Sequence, residues 1–291
     1  MKNKTLWIAM FLLPTIILFL LIFAIPVGTV ISTSFFKWKG FSGEMTFIGF
    51  SNYIDVLKND STFRKALSNT FIWILLQTTV HVSIGAILAL ILSKKPFGWK
   101  FIRTTYMIPN IISASALGMI LLNVFNPQYG IINSIIRAVG FKDFSRNWFF
   151  DFDTAFGTVT VSWLLFAGLI TILILAEIKS IPKSLFEAAM IDGATDLQTS
   201  IYITLPMIRN ILGTCVIISA TSMLKEFELI YLTTKGGPMD LTINLPLYLY
   251  KTALIENNFG YANTIGTLLI ILGIISIIFI SRIFRMGKAD V

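Results

Sequence analysis

Six stretches of this 291-residue chain are each long and apolar enough to cross a lipid bilayer, and no other feature constrains the fold as strongly. A hydrocarbon core about 30 Å thick takes roughly 20 apolar residues in a helix. The stretches are residues 6–31, 70–92, 103–125, 154–176, 210–232 and 261–284. The first is too long for the apolar part of a signal peptide and lacks a convincing small-x-small cleavage site, so it reads as a membrane helix. Its Pro14 and Pro26 are tolerable there, because neighbouring helices can satisfy the freed backbone groups. The predicted fold is an all-α membrane protein: six transmembrane helices forming one domain over residues 1–291, with a helical loop at residues 178–209 between the fourth and fifth.

Composition supports lipid as the main solvent. Hydrophobic residues make up 55% of the chain and charged ones only 13%, where soluble chains carry about a quarter. The net charge of +8 does not point to nucleic acid, because the basic residues are scattered between apolar runs instead of forming a stripe. Beside membrane-length runs they act as topology signals. Lys2 and Lys4 precede the first span; Lys94, Lys95, Lys100 and Arg103 crowd the second connection; Arg282, Arg285 and Lys288 follow the sixth span. With six spans all three clusters share one side, which the positive-inside rule makes cytoplasmic, so both termini are expected there.

The polar residues exclude several chemistries. Cys215 is the single cysteine and His81 the single histidine, so neither a disulfide within the chain nor a zinc site of these residues can form. No Gly-x-x-x-x-Gly-Lys-Ser/Thr run occurs, so a Walker-type nucleotide site is not expected. An intramembrane enzyme would need a nucleophile–base or metal constellation that one His and one Cys do not supply, and no catalytic residue is assigned. His81 could be a proton relay, which would suit a secondary transporter, or a polar packing contact with a neighbouring helix. Cys215 reads as a small packing residue.

Two segments between spans are larger than turns. Residues 35–69 read as a loop with short helical pieces around 51–57 and 61–67. Residues 125–153 contain an apolar run at 131–139 too short to span, read as an interfacial or re-entrant helix, with Trp148, Phe149 and Phe150 placed for an interfacial aromatic belt.

The loop at 178–209 carries the densest pattern. Ser184 and Glu187 have the spacing of a capping box, and so do Thr195 and Gln198. Leu185 with Ala189 and Phe186 with Met190 give the first helix an apolar face. Gly193 fits a left-handed C-terminal cap, and Pro206 fits the first turn of the fifth span. The spacing thus predicts a compact helix–turn–helix projecting from the membrane, which by itself could be an ordinary solvated loop.

Glu187-Ala188-Ala189, Gly193, Ile203, Leu205 and Pro206 match Glu-Ala-Ala-x3-Gly-x9-Ile-x-Leu-Pro at every fixed position. That pattern resembles the signature of permease subunits in binding-protein-dependent ABC importers. Residues 227–238, Phe-Glu-Leu-Ile-Tyr-Leu-Thr-Thr-Lys-Gly-Gly-Pro, resemble the end of the fifth helix in the carbohydrate branch, of the maltose and glycerol-phosphate permease type. Asn69-Thr70, Pro109 and Phe259-Gly-Tyr-Ala262 extend the resemblance over nearly the whole chain.

The resemblance implies a multi-pass permease of a bacterial-type inner membrane, not itself an enzyme. It implies a second permease of similar fold, a cytoplasmic ATPase dimer that binds ATP and Mg, an extracytoplasmic solute-binding protein and a sugar or oligosaccharide substrate. No cofactor is implied for this chain. The loop becomes a cytoplasmic coupling helix seated in a cleft of the ATPase, carried by Glu187, Ala188, Ala189, Asp192, Gly193, Leu205 and Pro206. Small residues at 188, 189 and 193 would permit close approach, and Glu187 would contact the ATPase or serve only its own helix cap. For the substrate, the resemblance implicates the outer parts of the fourth and fifth helices. Glu226 would accept hydrogen bonds from hydroxyls, Trp163 or Phe166 would stack on a sugar ring, and Ser222 and Glu228 would belong to the same site. Asp is usual where Glu228 stands. Lys225 and Glu228 are also spaced to pair with each other on one helix face. The alternative solutes are a glycerol-phosphate type or another non-sugar. A proton-coupled secondary transporter would need relay carboxylates in several spans, which are lacking outside the fifth.

Overall fold

The computed structural model describes residues 2–40 and 43–286, so Lys288 lies outside the described residues. The chain is helical almost throughout, since segments that lie in lipid must satisfy every backbone N–H and C=O internally. Helices α1 (Lys2–Phe19) and α2 (Ile25–Thr33) join through a π-helical turn at Leu20–Ala24. Neither Pro14 nor Pro26 breaks this rod, and it shows apolar side chains all round over most of its length, up to its last turn, where Thr33 is buried. Such a surface needs an apolar surrounding on every side.

After α2 come two short strands, β1 (Phe36–Lys37) and β2 (Thr46–Phe47), paired antiparallel with Phe36 opposite Phe47. The hairpin lies in a segment whose sequence pattern is that of a loop, because two residues per strand are too few for an alternation to register. Helix α3 (Ser51–Lys58) occupies the first expected helical piece. The second piece is not separate. It opens α4 (Ser61–Leu76), which continues through a π-helical turn at Gln77–His81 into α5 (Val82–Ser93). The span expected at 70–92 therefore begins at Ser61 and is 33 residues long, about 50 Å at 1.5 Å per residue. Hydropathy marks where lipid begins, whereas the Asp60 carboxylate, which accepts from the Phe63 N–H at 2.8 Å, marks where the helix begins.

The stretch expected to be one span at 103–125 is bent. It comprises α6 (Trp99–Ile111) and α7 (Ala114–Val124), inclined at 106°, with Ser113 capping α7 through the Ala116 N–H. Helix α8 (Ile131–Ala138) is the expected short apolar piece, with Ile131 and Ile135 outward and Asn133 buried. Asn133 Oδ1 accepts from the Trp148 indole, and Phe149 is buried, so these two rings pack inward while Phe150 stays exposed.

The fourth span is α9 (Ala155–Leu164) followed, after a three-residue break, by α10 (Gly168–Ile178). Beyond it lie α11 (Lys183–Ile191) and α12 (Asp196–Thr199), a π-helical turn at Ser200–Thr204, and α13 (Leu205–Met207). Helix α14 (Arg209–Met223) starts at a 72° bend after Met207. Pro206 thus sits in the last turn of the loop helix and not in the first turn of the membrane helix. Helix α15 (Glu228–Thr233) follows a break, and α16 (Leu245–Tyr250) runs through a π-helical turn at Lys251–Ile255. The last helix is α17 (Phe259–Ile283). Among the described residues four helices are long and apolar enough to cross a membrane, or six if each bent pair counts as one span.

The chain divides into two compact units. One holds residues 1–64 and 248–271. In it Asp60 also accepts from the Tyr248 and Tyr261 hydroxyls, and burial together with this carboxylate pushes the Tyr248 phenol above its ordinary pKa. The other holds residues 65–247 and, among the described residues, 272–286. Its core joins Val82, Ala89 and Leu92 of α5 to Ile170, Ile174 and Ile178 of α10, with Cys215 of α14 buried beside them. Gly85 makes this crossing possible, because a Cβ there would lie 2.7 Å from Ile170 Cγ2.

Candidate substrate cavity and loop helices

The irregularities of four helices in the larger unit converge on one cavity of about 230 Å³. The π-helical turn between α4 and α5 supplies Gln77 and His81. The end of α6 supplies Pro109 and Asn110; the break between α9 and α10 is flanked by Trp163 and contains Phe166; the end of α14 and the break after it supply Ser219, Ser222 and Glu226. Interrupted helices at membrane depth are tolerated where they are buried in protein or line a cavity, and transporters place binding sites at such points.

The broken backbone is repaired by side chains. The Leu164 carbonyl, at the end of α9, accepts from His81 Nδ1 at 2.8 Å. A carbonyl can only accept, so Nδ1 carries the proton. Asn110 Nδ2 donates to the Phe166 carbonyl at 3.4 Å. Gly168 lets α6 approach this break, since a Cβ there would stand 2.2 Å from the Tyr106 carbonyl oxygen. On the other side, Glu226 Oε1 accepts from the Leu229 N–H at 3.2 Å, capping α15, while Asn244 Nδ2 donates to the Glu226 carbonyl. Trp163 is held edge-on to Trp73, whose own ring stacks on Phe156 and donates to Thr160 Oγ1 at 2.8 Å.

Three buried polar atoms of the lining have no hydrogen-bond partner: Gln77 Oε1, Trp163 Nε1 and Ser219 Oγ. Buried polar atoms are nearly always paired, so three orphans in one lining call for an explanation. Of the residues singled out in the sequence, Trp163, Phe166, Ser222 and Glu226 meet here. Glu228 does not line the cavity; it is the exposed first residue of α15, and it makes no ion pair with Lys225. Gln77, His81, Asn110 and Ser219 join the lining without having been singled out for it. A signal for the first two existed: polar residues four apart inside a long apolar run share one helix face.

The loop between α10 and α14 is sharply formed. Gly193 has φ +73°, and the Gly193 and Ala194 N–H groups donate to the Met190 and Ala189 carbonyls, which is the double hydrogen bond of a Schellman cap. The Thr195–Gln198 capping box is present. The Ser184–Glu187 box is not: α11 starts one residue before Ser184, with Pro182 at the N-cap, so Ser184 already lies inside the helix and Glu187 is left exposed without a hydrogen bond. Glu187, Ala188, Asp192, Gly193 and Pro206 are exposed, whereas Ala189 is buried and Leu205 packs against the α5–α10 core. The apolar face is therefore split: Phe186 and Ala189 turn inward, while Met190 (68% exposed), Ile191 (86%) and Tyr202 (74%) stand outside. Lys94 at the end of α5 reaches Asp196 at 2.6 Å, tying α12 to the second connection.

Residues 81–286, which include the loop and most of the cavity, match the family model of the binding-protein-dependent transport system inner membrane component. The chain belongs to that family. This inner membrane component is 32% identical over 284 residues to the probable ABC transporter permease protein YurN of Bacillus subtilis, covering 97% of each chain. It is 33% identical to the multiple sugar-binding transport system permease protein MsmF of Streptococcus mutans, covering 94% of this chain and 93% of the relative. Its fold matches a chain of a bacterial alginate ABC transporter, solved in complex with an alginate pentasaccharide-bound periplasmic protein, with a TM-score of 0.84 at 24% identity over 100% of this chain and 98% of the other. This inner membrane component is accordingly a transport subunit, and its fold is that of an ABC importer permease.

Proposed function

We propose that this chain is the permease subunit of an ATP-driven importer and passes a sugar or oligosaccharide through the cavity at the four helix breaks. The observation that carries the reading is that cavity: the side chains of Trp163, Phe166 and Glu226 line it together, and three of its lining residues carry a buried polar atom without a partner. Aromatic rings pack on the C–H faces of sugars, and polar groups placed among apolar walls fix orientation. The relative in Streptococcus mutans is named for sugar transport, which favours the same class of solute.

Energy would come from a separate cytoplasmic ATPase dimer that holds ATP and Mg. The exposed Met190, Ile191 and Tyr202, set on a helix pair fixed by the Gly193 cap, offer it an apolar seat. Glu187, Ala188 and Asp192 would lie at that contact, Gly193 would hold its corner, and the inward Ala189 and Leu205 would anchor the lever to the membrane core, with Pro206 at the bend before α14. On this reading the loop and both termini face the cytoplasm. Trp99, with Arg103 at 5.2 Å and Lys179 at 6.0 Å from its ring, would mark the cytoplasmic interface. A second permease, an extracytoplasmic binding protein and the single-domain organisation complete the proposal.

The test is purification of the tagged chain from membranes with its genomic neighbours, followed by ATPase assay with sugar-loaded binding proteins. The expected result is a co-purifying ATPase that is lost with Gly193→Asp or Glu187→Arg, and stimulation by a sugar. A chain that purifies alone and transports under a proton gradient would overturn the reading.

A further inference from the structure

We infer that the cavity at the helix breaks selects uncharged sugar units and turns away sugar acids and phosphorylated solutes, with Glu226 setting that preference. The inference rests on the reading of this cavity as the substrate site. Its lining contains one carboxylic acid and neither lysine nor arginine. Arg and Lys are the side chains that hold anionic solutes most strongly, because a carboxylate or phosphate offers acceptors and is best met by charged donors. The other ionisable group of the lining, His81, already commits Nδ1 to the Leu164 carbonyl. Lys225, next to Glu226 in sequence, is exposed and absent from the lining.

The polar atoms point the same way. Gln77 Oε1 only accepts, Trp163 Nε1 only donates and Ser219 Oγ can do either; none has a partner. Glu226 Oε1 serves the α15 cap, which leaves Oε2 for a further polar contact. A sugar hydroxyl both donates and accepts, so a ring edge bearing several can donate to Gln77 and Glu226 while accepting from Trp163. An ionised carboxylate or phosphate dianion has no proton to donate. It would set acceptor against acceptor at Gln77 and at Glu226, in a lining with no lysine or arginine to offset its charge, a repulsive element of the kind that gives specificity by excluding the wrong ligand.

The test is saturation-transfer NMR on the assembled transporter in nanodiscs, without binding protein, using maltotriose, xylotriose and trigalacturonate as probes. The expected result is binding of at least one neutral trisaccharide, abolished by Ser222→Phe, with trigalacturonate at least tenfold weaker. Glu226→Gln should narrow that gap to within about threefold. Trigalacturonate binding as tightly as the neutral probes, at a site blocked by Ser222→Phe, would overturn the inference while leaving the substrate cavity in place. An unchanged gap in Glu226→Gln would overturn the role of Glu226. If no probe gives a signal sensitive to Ser222→Phe or Glu226→Ala, the substrate-site reading itself fails.

Discussion

His81 Nδ1 donates to the carbonyl oxygen of Leu164 at 2.8 Å, joining the π-helical turn of one membrane helix to the last residue before the break in another. The bond repairs a carbonyl that helix α9 has released at its last residue. The lone histidine therefore has a packing role, and the relay reading is not needed. His81→Ala should lower the stability of the detergent-solubilised protein by about 1 kcal/mol, the usual size of an interhelical hydrogen bond. Thermal unfolding followed by tryptophan fluorescence checks this, with His81→Gln closer to the wild type than His81→Ala.

Gly168→Ala should be far more damaging than its size suggests. The new methyl would stand 2.2 Å from the Tyr106 carbonyl oxygen and 2.7 Å from Asn110 Nδ2, so α6 and α10 would have to separate. Gly157→Ala is the matched control, with nothing within 4 Å of the new methyl. The yield of folded protein on size-exclusion chromatography is expected to fall several-fold for the first and to hold for the second.

At Gly193 the cost is conformational and not steric. A Cβ would meet nothing within 4 Å, but φ is +73°. A β-branched residue pays about 1–2 kcal/mol there, and Asn much less. Gly193→Val should loosen the loop and reduce ATP-driven uptake several-fold, whereas Gly193→Asn keeps most of it; uptake of labelled substrate by cells reads the difference.

Asp60 caps α4 through the Phe63 N–H and accepts from Tyr248 and Tyr261. Asp60→Ala removes the cap and leaves two hydroxyls without their acceptor, at a cost of about 1–2 kcal/mol for the cap alone. Hydrogen exchange at residues 61–67 should rise in this variant while that of α10 is unchanged.

Apolar length made the membrane helices legible, and the turn chemistry of Gly193 and Thr195–Gln198 made most of the loop legible, because both are local. What escaped were the features set by tertiary structure. Nothing in the hydropathy of residues 103–125 announces a 106° bend, since Ile111-Ile112-Ser113 reads as continuous span until Ser113 turns out to cap a new helix. Pro206 reads as the start of the fifth span because Pro suits any first helical turn; the bend two residues later reassigns it. Trp163, Phe166 and Glu226 could be placed by resemblance and Gln77 only by its spacing from His81, yet Asn110 and Ser219 could not be placed. Their shared address depends on four helices breaking at one level, which no single segment encodes.

Whether the cavity carries the substrate is decided by uptake through the assembled transporter with Glu226→Ala beside Glu228→Ala. These residues are two apart, but only Glu226 lines the cavity. Glu226→Ala is expected to lower uptake at least tenfold with the ATPase still bound, while Glu228→Ala stays within about twofold of the wild type. Unchanged uptake in Glu226→Ala, or an equal loss in both variants, would contradict that role of the cavity.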